Sequence, residues 1–361
     1  MIRNSFLSSV LLTGALLGML LSGNIVQAET DWQGANKSIV DNHLLPRYER
    51  LAESGKALAE QAKRFCNTQN ESDFERLRAA YHKATDDWMG IQHMRFGPVE
   101  MYLRYNRYQM WPDKHSSGPK QMRRLLAEEE RDVLAADRFP HTSVAVQGFT
   151  ALERLLYPAQ LQLSDFGRGG VPAYRCEFVV AITNNIARMS AGLVKDWQSE
   201  EMGYRDLIIG AEQGNDYFES SEEVSSRLLN NLHTQLQAIV DQKLLRPLKN
   251  HKLRRAESWR SRRSLRNILL NLKATEELYS VGFAPVVTDK ALDAELRVAF
   301  TRAIDAVETI KVPLYEIEKG SENNQKLEQV LETNRALKRL IATRLPQSLD
   351  LSLGFNSLDG D

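Results

Sequence analysis

Residues 142–157 read TSVAVQGFTALERLLY, and this segment carries the most informative pattern in the chain. It opens with Thr142 and Ser143, either of which is a favoured helix N-cap residue. Apolar residues then recur at helical spacing, at Phe149, Leu152 and Leu156. The pattern predicts a helix that begins at Thr142 or Ser143 and buries one face against a core.

Two residues of this segment are unusual for a buried helix. Gly148 lacks a side chain, which costs about 1 kcal/mol relative to alanine in a helix interior. Glu153 brings a carboxylate into an apolar run, where an unpaired charge is unfavourable. Together they indicate a site. The alternative is structural: Gly148 allows close helix packing, and Glu153 reaches solvent or pairs with an arginine.

The same residues match part of a family motif. Residues 148–153 read GFTALE, which resembles the Gly-x-His-x-x-Glu signature of imelysin-like proteins of the bacterial cell envelope. Thr150 stands where the family has histidine. A histidine and a glutamate three residues apart share a helix face and can share a metal. A threonine hydroxyl is a poor metal ligand, so the resemblance implies that this chain changes or lacks the metal chemistry of that pair.

Further segments resemble the same family. They are Arg95-Phe96-Gly97-Pro98, Trp111-Pro112-Asp113, Tyr174-Arg175-Cys176, ESWRSRRSLRN at residues 257–267 and the C-terminal LSLGFNSLDGD. The likeness covers essentially all of the mature chain. It implies two packed helix bundles, with the signature helix near their junction.

Helical periodicity dominates from residue 32 onward, and no segment reads as a confident strand. Helices are predicted over 32–66 with a possible kink at Pro46, then over 73–92, 119–136, 173–198, 221–245, 264–281, 288–311 and 322–344. Residues 203–220 are rich in glycine, asparagine and acids and are interpreted as a linker. We therefore predict an all-α fold of two packed helix-bundle domains, residues 29–205 and 206–361. The apolar tail should dock through Leu351, Leu353 and Phe355.

The N-terminus has the pattern of an export signal. Arg3 is the only charge before Glu29, residues 11–21 are almost wholly apolar, and residues 26–28 have the composition of a signal-peptidase site. Residues 1–28 are therefore interpreted as a signal peptide, a retained membrane anchor being the alternative. Asn24 stands where a lipoprotein would need cysteine. We expect a periplasmic protein that is not a lipoprotein and has no membrane segment after the signal is removed.

The charge balance argues against nucleic acid as a partner. The chain has 47 basic and 47 acidic residues, and removal of the signal takes away only Arg3. One segment is locally basic: residues 246–266 hold nine lysines or arginines and a single acid, Glu257. Such a segment can bind nucleic acid, but the expected compartment excludes that. It is either a solvated face or an anion-binding surface built from Arg260, Arg262 and Arg263.

Cys66 and Cys176 are the only two cysteines in the chain. In an oxidising compartment such an even pair predicts one disulfide. It would close a loop of about 110 residues, which stabilises by up to about 4–5 kcal/mol in the chain-entropy description. A catalytic or metal-binding thiol pair is the alternative, although no CxxC spacing is present.

No catalytic motif is evident. The sequence contains neither the HExxH motif of zinc peptidases nor a GxSxG nucleophile elbow. The seven histidines show no ligand spacing. Among them His93 is the most informative, because it lies two residues before Arg95 in an irregular aromatic segment; a structural role is the alternative.

Oxygen ligands for iron or another hard cation are available from carboxylates. The candidates are Glu153, Asp113, Asp359 and Asp361, since carboxylates suit such ions. Glu153 is the first choice as a metal ligand. The alternative is that these acids pair with Arg95, Arg104 or Arg262.

Imelysin-like proteins are associated with bacterial iron uptake, so the resemblance implies an envelope protein of iron acquisition that acts with other envelope iron-uptake proteins. We expect a binding protein for iron, a chelate or an acidic ligand, with its site between the two halves. The expected ligand-binding residues are Arg95, Trp111, Asp113, Gly148, Thr150, Glu153 and Arg262. One alternative is a metal-dependent peptidase or hydrolase with Glu153 as general base. Another is an interaction scaffold without a small ligand.

Overall fold

The computed structural model describes residues 30–199, 201, 203–355 and 358. Helices dominate these residues, and no strand occurs among them. The prediction of an all-α fold is thus confirmed. The predicted signal peptide, residues 1–28, lies outside the described residues. No helix in the described ranges is both long and apolar enough to cross a membrane.

Thirteen α-helices are formed by the described residues. They are α1 (Trp32–Ile39), α2 (Leu45–Thr68), α3 (Glu71–Ile91), α4 (Arg104–Tyr108), α5 (Ser117–Glu128), α6 (Gly148–Leu156), α7 (Gly170–Gln198), α8 (Tyr204–Ile209), α9 (Ser221–Gln237), α10 (Arg246–Leu248), α11 (Ser264–Leu278), α12 (Lys290–Glu308) and α13 (Glu322–Leu349). Three π-helical segments, Val40–Leu44, Ala238–Leu245 and Tyr279–Phe283, join or extend them. Short 3-10 turns fill several connections.

The first half of the chain is built around α2, which packs against α3 and α7. Cys66 of α2 and Cys176 of α7 form a disulfide with a Cα–Cα distance of 5.6 Å, as the sequence predicts. Asn70 caps α3, its side chain accepting a hydrogen bond from the Asp73 backbone N–H. Capping and packing together account for the tight α2–α3 turn.

The second half is built from α9, α11, α12 and α13. Helices α12 and α13 pack along each other, α11 packs on α12, and α9 packs on α13. Their inward faces repeat apolar residues at helical spacing, for example Leu296, Phe300 and Ala303 of α12, all fully buried. Apolar repeats of this kind are the pattern from which the sequence predicts these helices.

The two halves share extensive contacts. Helix α1 packs on α9, where the Asn36 side chain donates to the Ser221 carbonyl at 2.7 Å and accepts from the Ser225 hydroxyl at 2.7 Å. Helix α3 packs on α11. From residue 31 onward, the described residues form one compact unit. The predicted boundary between residues 205 and 206 falls inside this unit, beside α8, and stays a prediction.

Several local expectations need correction. The helix predicted over 119–136 ends at Glu128, and the segment interpreted as a linker, residues 203–220, contains α8. The signature helix α6 begins at Gly148 and not at Thr142 or Ser143, because Ser143 instead caps a short 3-10 turn, Val144–Val146. The C-terminal tail docks only in part: Leu351 is buried, whereas Phe355 is 98% exposed. Residues 356, 357 and 359–361 lie outside the described part of the chain.

Candidate functional site

Gly148 is required by backbone geometry at the start of α6. Its φ is +68°, a conformation that favours glycine. A Cβ atom there would lie 2.2 Å from the Arg107 carbonyl oxygen and 2.1 Å from that of Tyr108. The end of α4 therefore fills the space that a side chain would need. This is the close packing proposed as the structural role of Gly148.

Glu153 lies one turn further along α6, and its side chain is almost fully buried. Its Oε1 accepts two hydrogen bonds from Ser261, from the backbone N–H at 2.9 Å and the hydroxyl at 2.7 Å. Burial raises the pKa of the Glu153 carboxyl, while the Ser261 hydrogen bonds and the charges of Arg260 and Arg154 oppose that rise. The carboxylate is thus held at the contact between α6 and the basic segment.

Glu257, the single acid of the basic segment (residues 246–266), fixes that segment to neighbouring parts of the protein. Glu257 is buried and forms an ion pair with Lys243, whose Nζ lies 2.8 Å from Oε2. The side-chain amides of Gln109 and Asn267 also donate to this carboxylate, at 3.1 and 2.9 Å. The ion-pair partner of Glu257 is therefore Lys243 and not an arginine of the basic segment.

A cavity of about 420 Å³ opens where α6 faces this segment. We call it the basic cavity. It is lined by Trp111, Asp113, Lys114, Ser116, Pro119, Thr150, Glu153, Arg154, Arg246, Arg254, Arg255, Ala256, Ser258, Trp259 and Arg260. Its walls thus come from the α4–α5 connection, from α6 and from the basic segment.

Five arginines line the basic cavity and find no acceptor in the described part of the protein. No side-chain hydrogen bond, and no ion pair within 4.0 Å, joins them to any residue that the structure describes. They are Arg154, Arg246, Arg254, Arg255 and Arg260. The Nε of Arg246 is also buried without a partner, which is rare for a polar group in a folded protein.

Trp259 orients two of these arginines. The guanidinium of Arg260 lies 4.4 Å, and that of Arg254 5.5 Å, from the centre of the Trp259 ring. Both distances are within the range of a cation–π interaction. The ring therefore holds two positive groups at one wall of the cavity without neutralising them.

Two further predicted residues in this cavity, Asp113 and Thr150, have different surroundings. Asp113 accepts hydrogen bonds from the backbone N–H groups of Ser117 and Gly118, both at 2.9 Å, and so caps the start of α5. Thr150 lines the cavity from α6.

The remaining predicted residues lie elsewhere. Arg95 is placed by its backbone N–H, which donates to Asn231, and its guanidinium stacks on Tyr105. Arg262 is exposed and pairs with Glu316 at 3.2 Å. Of the seven predicted ligand-binding residues, the cavity brings together Trp111, Asp113, Thr150 and Glu153. Arg95, Gly148 and Arg262 are not in its lining.

The arginines of the basic segment lie in different surroundings. Of the three named from sequence, Arg260 lines the cavity, whereas Arg263 is buried and pairs with Asp86. Sequence reasoning missed Ser261 as the partner of Glu153, and it missed Arg154, Arg246, Arg254 and Arg255. The density of basic residues was the available signal, but it carries no information on which of them face the cavity.

The described residues around Glu153 supply no second or third metal ligand beside it. Among the residues described, no group of three His, Cys, Asp or Glu side chains is placed to hold one. Oε1 of Glu153 already accepts two hydrogen bonds, and both carboxylate oxygens of Asp113 bind backbone N–H groups. The other two predicted ligands, Asp359 and Asp361, lie outside the described residues. Iron or another hard cation bound by Glu153 therefore stays a prediction.

A larger opening of about 750 Å³ lies beside the disulfide, away from Glu153. Its lining includes apolar residues such as Leu134, Phe139 and Val180 together with four basic side chains. One of these, Arg131, pairs with Glu177 at 3.1 Å, and another, Arg188, donates to the Ala136 carbonyl at 2.6 Å. The basic cavity holds five arginines for which the described residues supply no acceptor, and it includes the Glu153 carboxylate, so we take it as the candidate site.

Comparisons with known proteins agree with this fold. The family model for imelysin matches residues 44–344. A crystal structure of an imelysin-like protein from Psychrobacter arcticum 273-4 has a TM-score of 0.74 and 15% identity, covering 90% of this chain and 97% of that one. A structure named as an iron-regulated protein A precursor, from Parabacteroides distasonis ATCC 8503, has a TM-score of 0.75 and 14% identity, covering 88% and 95%. No match was found among curated proteins.

Proposed function

The chain belongs to the imelysin family, and on that premise we propose that it is a periplasmic, non-enzymatic binding component of bacterial iron acquisition. The iron-regulated name of the structural neighbour supports the link to iron. The signal-like residues 1–28 support the periplasmic location. In this role the protein would act with other envelope proteins of iron uptake.

The ligand site in this proposal is the basic cavity. The observation that carries it is the contact of Glu153 with Ser261, because these residues come from the two halves of the sequence. A ligand in the cavity would touch α6 on one side and the basic segment on the other. Its volume, about 420 Å³, lies within the roughly 300–1,000 Å³ of small-molecule sites.

One observation favours a hydrolase as the second candidate. Burial raises the pKa of Glu153, and a raised pKa suits a general base or acid. Against this, the N–H and O–H groups of Ser261 both donate to the carboxylate and hold it in place as an acceptor. Metal-dependent peptide cleavage by the purified protein, lost in Glu153→Gln, would favour the hydrolase.

The proposed function is tested in the bacterium that carries the gene. A deletion strain should grow more slowly and take up less radioactive iron under iron limitation, and normally when iron is replete. The intact gene supplied in trans should restore uptake, whereas a copy without residues 1–28 should not. Equal iron uptake by the deletion and parent strains under limitation would refute the role in iron acquisition.

A further inference from the structure

We propose that the basic cavity binds a small anion carrying two or more carboxylates, held by arginines. Iron would then reach this protein as an anionic chelate and not as a bare cation. This inference rests on the proposed function for its connection to iron and names the ligand class of that site. The binding chemistry itself follows from the cavity residues alone.

The charge of the cavity favours an anion. Among the described residues of its lining are five arginines without an acceptor and two carboxylates, those of Asp113 and Glu153. Both carboxylates already accept hydrogen bonds from N–H or O–H groups. A cation that approached Glu153 would also meet the positive charges of Arg154 and Arg260, which act directly on that carboxylate.

The arginines are held together against their mutual repulsion. Arg154 and Arg260 are partly buried, and burial together with the nearby Arg260 charge lowers the pKa of Arg154. Such a cluster is unfavourable on its own, because like charges repel and burial weakens their hydration. An anion placed between the guanidinium groups would relieve both effects. Unbalanced positive charge of this kind is typical of a site shaped for an anionic ligand.

The geometry suits planar carboxylates. A guanidinium donates two parallel N–H bonds to one carboxylate, so several arginines around a cavity can engage several carboxylates of one ligand. The Trp259 ring holds Arg254 and Arg260 in place before a ligand arrives, which lowers the entropy lost on binding. Trp111 adds a second aromatic wall for the carbon skeleton of the ligand.

Phosphate shares this arginine chemistry, so the test must separate the two anions. We assign carboxylates because the proposed function needs a ligand that carries ferric iron, a hard ion that oxygen donors bind well. Polycarboxylates supply several such oxygens and keep a net negative charge. Inorganic phosphate is therefore the comparison probe.

The experiment is calorimetric titration of the mature protein, residues 29–361, with its disulfide intact. The probes are citrate, tricarballylate, ferric citrate, inorganic phosphate and manganese(II). We expect citrate and ferric citrate to bind, and their affinity to fall as salt is raised. Binding of manganese(II) without citrate, no binding of any anion, or phosphate binding as tightly as citrate would each overturn the proposal.

Variants locate the binding. Arg154→Gln and Arg260→Gln should each weaken citrate binding at least about tenfold, the loss expected for one charged hydrogen bond. Arg262→Gln is the matched control, since it removes the same charge from the same segment outside the cavity, and it should bind citrate normally. Equal weakening by all three variants would refute the cavity. If Arg154→Gln or Arg260→Gln does not fold, the same test can be made with Arg254→Gln and Arg255→Gln, because these two residues are exposed.

The result separates this inference from the proposed function. Arginine-dependent citrate binding in a protein whose deletion leaves iron uptake unchanged would refute the role in iron acquisition and retain the anion site. An iron-uptake defect in the deletion, with no anion binding by the pure protein, would refute the anion site and retain the role.

Discussion

Nε2 of His43 lies 3.0 Å from Nε2 of His93, and both imidazoles are fully buried. Nδ1 of His43 lies 3.0 Å from Oε1 of Glu277, whose pKa is lowered to about 2 by its hydrogen bond to His43 and by the nearby Arg47. The ionised Glu277 therefore accepts the His43 Nδ1–H. One proton lies between the two Nε2 atoms, so the contact cannot hold two protonated rings, and burial favours the neutral form of both.

This pair predicts loss of stability in mild acid. Burial lowers the pKa of His43 to about 4 and that of His93 well below its usual value of 6.5. The unfolded chain thus binds more protons than the native one below about pH 6.5. The free energy of unfolding should be highest above that pH and fall toward pH 4, by up to about 1.4 kcal/mol per pH unit for each histidine. Urea unfolding from pH 8 to pH 4 measures this.

The control for the histidine pair is the double variant His43→Gln, His93→Gln, which keeps polar groups but cannot titrate. Its stability should depend less steeply on pH between about 6.5 and 4. A residual slope should remain from His82, because burial and the Arg263 charge lower its pKa to about 4. An unchanged slope in the double variant would show that other groups cause the acid sensitivity.

Gly148→Ala tests the packing of α6 against α4. The new Cβ would lie within about 2.2 Å of two carbonyl oxygens, and the residue would keep a φ of +68°. We expect a loss of more than about 3 kcal/mol in the free energy of unfolding, from backbone strain and overpacking together. Denaturant unfolding followed by circular dichroism measures it.

Gly170→Ala is the matched control for Gly148→Ala. Gly170 also has a positive φ, +55°, but no atom lies within 4 Å of a Cβ placed there. This variant therefore reports the cost of backbone conformation alone, about 1 kcal/mol. Equal losses in the two glycine variants would contradict the close contact between α4 and α6.

Much of the fold was predictable because apolar periodicity is a local property. The stripes of α2, α9 and α12 face the core where the sequence places them, and Cys66 and Cys176 meet because their helices pack together. The start of α6 was not predictable. Thr142 and Ser143 are good caps, but the positive φ of Gly148 follows from its contact with α4, which is distant in sequence.

The candidate site was predictable only in part, for a similar reason. Glu153 was recognised because a carboxylate in an apolar run is costly wherever the chain goes. The backbone has a positive φ at Ser258 and Arg262, and this turn sends neighbouring side chains in different directions. Arg260 lines the cavity, Arg262 forms a surface ion pair, and Arg263 forms a buried one. Composition alone does not distinguish these three positions.

We expect the Glu153 carboxylate to stabilise the protein by accepting the hydrogen bonds of Ser261, and not to bind the ligand. In Glu153→Gln the side-chain oxygen still accepts from Ser261, so stability should change by less than about 1 kcal/mol. In Glu153→Leu the buried Ser261 N–H loses its acceptor, which costs about 1–3 kcal/mol. Thermal unfolding of both variants measures the difference.

The same variants distinguish an anion site from a cation site. Glu153→Gln removes a negative charge from the cavity, so the affinity for citrate should stay equal or rise. If Glu153 were instead a metal ligand, Glu153→Gln would abolish binding. A loss of ferric citrate binding in Glu153→Gln with citrate binding unchanged would assign a direct iron contact to this carboxylate.

The buried pair of Lys243 and Glu257 tests how the basic cavity is held together. Lys243 also donates to Gln92 at 2.8 Å and to Asn271 at 2.6 Å, so it joins the basic segment to α3 and α11. Lys243→Met leaves the Glu257 carboxylate buried without its cation, which should cost about 3–5 kcal/mol. The double variant Lys243→Met, Glu257→Gln should regain part of this loss, because no unpaired charge remains. Urea unfolding and citrate titration of both variants provide the test.

Citrate affinity should fall in the single variant, although no cavity residue is changed, since the arginines depend on the position of this segment. Undiminished citrate binding by a folded Lys243→Met protein would show that Ser261 and Glu153 alone suffice to hold the cavity wall.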